Sequence, residues 1–357
     1  MSAFDTILNK PALSLDDLVI LLRSEDEQMK LLLKNAAGVK EKYIGNKVHL
    51  RGLIELSNVC SKNCFYCGIR KGNAGINRYN LSDDKVLEAA MFAFKNHFGS
   101  IVIQAGEIGN SSFTRRIEQL LRKIKQISGG KLGITLSLGE QSFETYQRWF
   151  EAGAHRYLIR IETSEGKLYR KLHPNDSLHD FDNRLRCIND LKKIGYQTGT
   201  GVMIGLPFQT VESLARDLLF MKDLDIDMVG MGPYIEHENT PLIQFREMLL
   251  QDYKRFELSL KMIAVLRIMM KDINIAATTA IQTLNRNGRE EAIRAGANVI
   301  MPNITPGRYR DDYALYRNKP VTGLNHVDDL KMIESGLKRI GHSLAYDEWG
   351  DSRRFLK

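Results

Sequence analysis

Three cysteines fall within eight residues in the segment SNVCSKNCFYCGIR: Cys60, Cys64 and Cys67, at the spacing CxxxCxxC. Thiolates are soft ligands, and three on one tight loop can wrap one face of an iron–sulfur cubane and hold three of its irons. The fourth iron then has no protein ligand and stays open to a small molecule. A structural zinc knuckle is the competing reading. It wants a fourth Cys or His at short spacing, and the nearest downstream histidine, His97, falls in another unit of the chain. A catalytic zinc on three sulfurs is a lesser alternative. The remaining cysteine, Cys187 in LRCIND, interrupts an amphipathic helical stretch and reads as a buried small hydrophobe. This usage is poor for a disulfide scaffold and suits a metal site in a reducing, cytoplasmic compartment.

A ligand loop of this kind needs a rigid mount. From His49 onward, short apolar segments alternate with amphipathic helices: HLRGLIELS, SIVIQAG, KLGITLSL, HRYLIRIE, TGTGVMIG, DMVGMGP, INIAATTA and NVIMPN read as strands. Helical stretches such as DDKVLEAAMFAFKNHF and FTRRIEQLLRKIK separate them. That alternation predicts parallel βα units, and eight of them predict an α/β fold closed as a TIM-like (β/α)8 barrel rather than an open doubly wound sheet. The cysteine loop directly follows the first strand. Residues 1–48 read as an N-terminal helical extension, 49–304 as the barrel, and 305–357 as an irregular segment that closes the same domain and ends in a helix. GTGVMIG is glycine-rich but supplies no properly placed GxGxxG turn, which argues against a dinucleotide fold.

A chain of 357 residues, 43% of them hydrophobic, can bury a large core. Acids interrupt the N-terminal MSAFDTILNKPALSLDDLVILL, so no secretory signal is expected, and no apolar run approaches the length of a membrane span. The formal net charge of +8 is scattered among acids, as in YRDDYALYRNK. A diffuse excess fits small anionic ligands or solubility better than a nucleic-acid face. His155, His173, His179 and His237 have no short metal spacing and read as structural.

Ligand-binding side chains in such a barrel belong at the C-terminal ends of its strands. The second strand ends QAGEIGN, where Gly106 permits close backbone approach and Glu107 offers a carboxylate to an ammonium, or else to solvent. In GITLSLGE, Thr135 and Ser137 share one strand face, which implies a polar cavity or hydroxyls satisfied by backbone. In HRYLIRIETS, Arg160 and Glu162 share a face where charge is costly without a partner or ligand, so Arg160 suits an anionic group. Arg184, on a helix, is a candidate carboxylate fork with a surface reading beside it. Met203, Ile204 and Gly205 line the turn in GVMIGLPFQT. Met231, Thr278, Thr279, Met301, Thr305 and Arg308 follow at later strand ends, a mixture suited to a compact anionic or organometallic ligand.

The cysteine segment resembles the radical SAM superfamily, whose CxxxCxΦC motif follows the first strand, with Tyr66 as the aromatic. The resemblance implies a [4Fe-4S] cluster on Cys60, Cys64 and Cys67. It also implies S-adenosylmethionine (SAM) bound through its methionyl amino and carboxylate groups, and a 5'-deoxyadenosyl radical. It places Tyr66, Gly106, Glu107, Ser137, Glu162, Arg184, Met203, Ile204, Gly205 and Met231 around SAM. The blocks YIGNKVHLRGLIELSNVCSKNCFYCGIR, AGAHRYLIRIET, DMVGMGPYIEHENTPL and GANVIMPNITP resemble, more narrowly, the HydE family of [FeFe]-hydrogenase maturases. That likeness implies radical attack at the sulfur of an Fe(CO)2(CN)–cysteine precursor of the diiron subcluster. Thr135, Arg160, Thr278, Thr279, Met301, Thr305 and Arg308 would bind that substrate. A ferredoxin or flavodoxin would be the electron donor, HydG-like and HydF-like proteins would be partners, and no nucleic acid or membrane would be involved. No cysteine follows Cys187, so the additional C-terminal cluster of many members is not expected. GEIGNSS where the family commonly has GEDPYY, and Ile161 in place of a common histidine, leave a diverged HydE-like or methylornithine synthase-like enzyme as the alternative. An iron–sulfur scaffold without activity is a further one.

Overall fold

The computed structural model describes residues 2–320 and 326–356. Residues 321–325, part of the expected closing segment, lie outside the described residues. Parallel strands run in chain order: β1 (Lys47–Ser57), β2 (Ser100–Ala105), β3 (Gly133–Ser137), β4 (Arg156–Leu158) and β5 (Gln197–Thr200). Then come β6 (Met203–Ile204), β7 (Met228–Val229), β8 (Gly232–Pro233), β9 (Asn274–Ile275), β10 (Val299–Ile300) and β11 (Ser343–Ala345). The sheet order is β10-β1-β2-β3-β4-β5-β7-β9, and a bridge between Ala276 and Val299 joins its two ends. Each segment expected as a strand contributes to this barrel. The fifth and sixth barrel strands are each broken, with β6 and β8 forming a small parallel pair above β5 and β7. The break falls where these strands touch: a Cβ on Gly201 would lie 2.0 Å from the Gly230 carbonyl oxygen.

The helices around the barrel follow from their apolar spacing. In Ser111–Ile127, Phe113, Ile117, Leu120, Leu121 and Ile124 recur every three or four residues and are buried, while the side chain of Asn110 caps the first turn by accepting from the Phe113 amide at 2.9 Å. Each such buried side chain contributes about 1.5–3 kcal/mol. The helix Asp252–Met269 is buried on almost every face, because the N-terminal helices Leu15–Leu22 and Asp26–Tyr43 pack over it. The segment after Thr305 holds the helix His326–Arg339 and one strand that the sequence pattern did not reveal. That strand, β11, pairs with the start of β1 below the barrel. The chain then crosses the barrel floor, where the carbonyls of Trp349 and Gly350 accept from Arg156 and Arg51, each at 2.9 Å.

Candidate active site

The cysteine loop leaves the top of β1 and is stapled on three sides. The end of β2 accepts the Ser61 amide on the Glu107 carbonyl at 2.8 Å, and the Gly106 amide returns to the Ser57 carbonyl at 2.8 Å. From the other side, Leu172 accepts the Phe65 amide at 2.9 Å and His179 Nε2 accepts the Asn63 amide at 2.9 Å. The closing segment completes the enclosure, with the Gly68 amide donating to the Leu315 carbonyl at 2.9 Å. Gly106 is required by this packing, since a Cβ there would meet the Val59 carbonyl oxygen at 2.3 Å.

Cys60, Cys64 and Cys67 face one cavity of about 310 Å³ at the C-terminal end of the barrel. All are free thiols, and the Glu107 amide donates to Cys60 Sγ at 3.3 Å. Burial pushes the Cys64 thiol up to about 12 and raises Cys60 and Cys67 as well. Thiols so placed become thiolates only against a compensating cationic center, which is what metal coordination provides. Among the described residues no three His, Cys, Asp or Glu side chains are gathered closely enough for a single ion, whereas a cubane face spreads its ligands wider. Three soft donors on one loop, an amide aimed at one sulfur and a roomy cavity fit a [4Fe-4S] cluster. Cys187 is remote in kind: it is buried in the helix Phe181–Ile194 with its thiol 3.7 Å from the Gln141 carbonyl oxygen.

Beside the cysteines lies a buried charge network. Lys62 Nζ is 3.0 Å from Glu107 and 3.1 Å from Glu140, while Arg184 Nε is 2.7 Å from Glu140 and its Nη2 is 3.8 Å from Glu107. Arg184 is only 7% exposed, so its surface reading fails. Burial raises the Glu107 carboxyl, with Arg184 and Lys62 pulling against it; for Glu140 the same two cations overcome burial and hold it low. Lys62 sits inside the cysteine motif and Glu140 three residues past Ser137, yet neither was singled out, because isolated charges in loops carry no periodic signal. Glu162 adopts a left-handed backbone (φ 66°), a conformation that costs a non-glycine residue free energy and gathers at functional sites. Its carboxylate lies 3.0 Å from Arg160 Nη2, and burial raises it with Arg160 opposing. Arg160 Nε is buried with no protein partner.

The cavity brings together Tyr66, Gly106, Glu107, Ser137, Arg160, Glu162, Arg184, Met203, Thr278, Thr279 and Met301 with the cysteines. It does not bring in six other residues. Thr135 is one layer lower, its hydroxyl accepting from Arg156 Nε at 2.9 Å. Ile204 and Met231 are fully buried in the core. Gly205 faces Arg255, which a Cβ would meet at 2.9 Å, and its amide is held by Gln209. The Thr305 hydroxyl accepts the Glu55 amide at 2.8 Å, and Arg308 is exposed over the Tyr309 ring. In their place the closing segment supplies Tyr313, Tyr316 and Lys319. Lys319 pairs with buried Glu55, Tyr316 Oη is 2.9 Å from Thr279 Oγ1, and Gln104 donates to Tyr313 Oη at 3.2 Å. Of the histidines, His173 touches Tyr66 (3.3 Å) and His179 holds the loop at Asn63, so both support the cysteine loop.

A parallel barrel with a three-cysteine loop after its first strand defines a class, and residues 54–221 match the model of the radical SAM superfamily. The chain is 42% identical over 326 residues to the [FeFe] hydrogenase maturase subunit HydE of Thermotoga maritima, across 91% of this chain and 90% of that one. Its fold resembles methylornithine synthase (PylB), with a TM-score of 0.78 at 26% identity over 97% of this chain and 98% of that one. It also resembles HydG, a maturase of the [FeFe]-hydrogenase, with a TM-score of 0.79 over 99% and 78%; at 20% identity that likeness speaks for the fold alone. The chain belongs to the radical SAM superfamily and, within it, to the HydE family.

Proposed function

We propose that this protein is a radical SAM maturase that processes an iron–carbonyl–cyanide–cysteine precursor of the [FeFe]-hydrogenase diiron subcluster, by radical attack at the cysteine sulfur. The observation that carries the reading is one cavity lined by the three cysteines together with Arg160, Thr278 and Thr279. A [4Fe-4S] cluster held by Cys60, Cys64 and Cys67 would supply the electron that cleaves SAM to methionine and the 5'-deoxyadenosyl radical. Arg184 would take the methionyl carboxylate, Glu107 the ammonium, and Ser137, Glu162, Met203 and Tyr66 the remainder of SAM. The Nε–H of Arg160, which has no protein partner, gives a buried donor for an anionic substrate. Tyr313, Leu315 and Tyr316 also line this space and would help keep water from a reactive radical. A ferredoxin or flavodoxin would deliver electrons, with HydG-like and HydF-like proteins before and after it in assembly, in the cytoplasm.

The test uses anaerobically reconstituted, reduced protein with SAM and the synthetic iron–carbonyl–cyanide–cysteine complex. Substrate-dependent 5'-deoxyadenosine together with a new low-spin iron(I) signal supports the reading. SAM cleavage without that signal shifts the substrate toward the diverged or methylornithine synthase-like alternative. No cleavage by cluster-loaded protein that binds SAM points to a scaffold.

A further inference from the structure

Glu107 stands in a partition between two spaces. One is the reaction cavity; the other is a groove of about 680 Å³ whose lining includes Gly109, Asn110, Ser142, Asn183 and Arg186. Gly109, Asn110, Ser142 and Arg186 are exposed, so the groove opens to water. Of the charge network beside the cysteines, Glu107 and Lys62 line both spaces, Glu140 lines the groove and Arg184 lines the cavity. The partition at this point is therefore built of charged side chains. A carboxylate placed there is better hydrated when it turns outward, since removing an ionized group from water costs free energy that its partners must offset. Binding a ligand ammonium in the cavity requires Glu107 to stay turned inward, and the protein must supply what holds it.

Two features do so. Lys62 reaches back from the cysteine loop, and three oxygens surround its ammonium: Glu107 Oε1 at 3.0 Å, Glu140 Oε2 at 3.1 Å and the Leu178 carbonyl, to which it donates. Glu140 is itself fixed by Arg184 Nε at 2.7 Å and by Asn183 Nδ2 at 2.5 Å. With Glu140 and Leu178 anchoring the ammonium from two other elements, its remaining contact sets where the Glu107 carboxylate lies. The second feature is Gly139, just past β3. A Cβ there would meet Glu107 Oε2 at 2.2 Å, so the missing side chain makes the seat for the other carboxylate oxygen. Arg184 holds Glu107 less closely, with Nη2 3.8 Å from Oε2. Without Lys62, two carboxylates would share one guanidinium, which already pairs with Glu140, and Glu107 would be the one free to swing into the groove.

We infer that Lys62 is the residue that positions Glu107 for the methionyl ammonium of SAM, keeping its carboxylate turned toward the cavity, with Gly139 as its seat. The inference rests on the reading that Glu107 takes that ammonium. Lys62 lies between Cys60 and Cys64, so the loop that carries the three cysteines also sets the pocket for the ligand's amino group.

The test uses cluster-loaded protein, oxidized for binding and reduced for turnover. In Lys62→Met the Kd for SAM should rise about tenfold or more, as expected when one charged contact is lost. 5'-Methylthioadenosine, which carries no amino acid, should bind as it does to the wild type. KM for SAM should rise while kcat at saturating SAM stays within about twofold, the pattern of lost ground-state binding. Gly139→Ala displaces the carboxylate from outside the cysteine loop and should show the same split; it carries the test if Lys62→Met loses iron. Unchanged SAM affinity in both variants, or an equal loss for SAM and 5'-methylthioadenosine, overturns the proposal. Glu107→Gln tells the two readings apart. If it weakens SAM binding where Lys62→Met and Gly139→Ala do not, the positioning role alone fails; if none of the three weakens it, the assignment of the ammonium to Glu107 fails as well.

Discussion

Gly106→Ala should separate cluster assembly from folding. A Cβ at this position would lie 2.3 Å from the Val59 carbonyl oxygen and 2.8 Å from Cys60 Cβ, both on the cysteine loop, whereas ordinary contact begins at 3.4 Å. Neither neighbor is the end of a flexible side chain, so the loop and the end of β2 must part by about 1 Å, and overpacking of this kind costs roughly 1–3 kcal/mol. That cost lowers Tm by about 1–4 °C for a chain of this size, without unfolding it. The displacement falls on the Gly106–Ser57 hydrogen bond and on the amide that Glu107 aims at Cys60. Iron and sulfide incorporated on reconstitution should drop by at least half, and 5'-deoxyadenosine formation by roughly tenfold or more, since a misplacement of about 1 Å costs on the order of a hundredfold at a reacting center. Gly109→Ala, whose Cβ would meet nothing within 4 Å, is the control and should be silent. Full iron loading with an unchanged rate in Gly106→Ala would refute the reasoning.

Other substitutions test separate parts of the account. Asp217 accepts the Ser164 amide and hydroxyl, each at 2.6 Å, and burial raises its carboxyl from 3.8 to about 7. The folded state therefore binds the proton more tightly than the unfolded chain, and stability falls as pH rises from about 4 to about 7, by about 4 kcal/mol at most. Asp217→Asn should flatten that dependence and raise stability at pH 8, as read by denaturant melts; an unchanged pH profile would count against it. Arg160→Lys should raise KM for an anionic substrate about tenfold or more while leaving reconstituted iron content intact, because one charged hydrogen bond is worth about 1.5–3 kcal/mol. Cys187→Ala should leave iron content and radical formation unchanged, and a loss of iron would reopen a ligand role for Cys187.

Much of this architecture was legible in the sequence, because barrel strands and helices carry strong periodic signals. Arg160 and Glu162 do meet in the cavity, but past the end of β4 and through the left-handed backbone at Glu162 rather than by strand alternation, and the cysteine triplet lies on the loop after β1. Thr135 shows where such reasoning stops. It shares a strand face with Ser137, but alternation does not say which layer of the barrel opens into the cavity, and Thr135 falls in the layer beneath, where its hydroxyl accepts from Arg156 Nε. Thr305 and Arg308 were placed at the site through their position after the last strand; the chain turns there so that Tyr313, Tyr316 and Lys319 face inward instead. Irregular backbone carries no period, so its inward-facing side chains become visible only in three dimensions. β11 was missed for a related reason, since three residues pairing far along the chain leave little local pattern.

The most direct test of the central claim is low-temperature EPR of the reconstituted, reduced protein before and after addition of SAM, alongside the Cys60→Ala, Cys64→Ala and Cys67→Ala variants. A [4Fe-4S]+ signal whose g values shift on SAM addition, and which each variant loses, is the predicted result. A signal indifferent to SAM, or one that survives loss of any of the three cysteines, would contradict it.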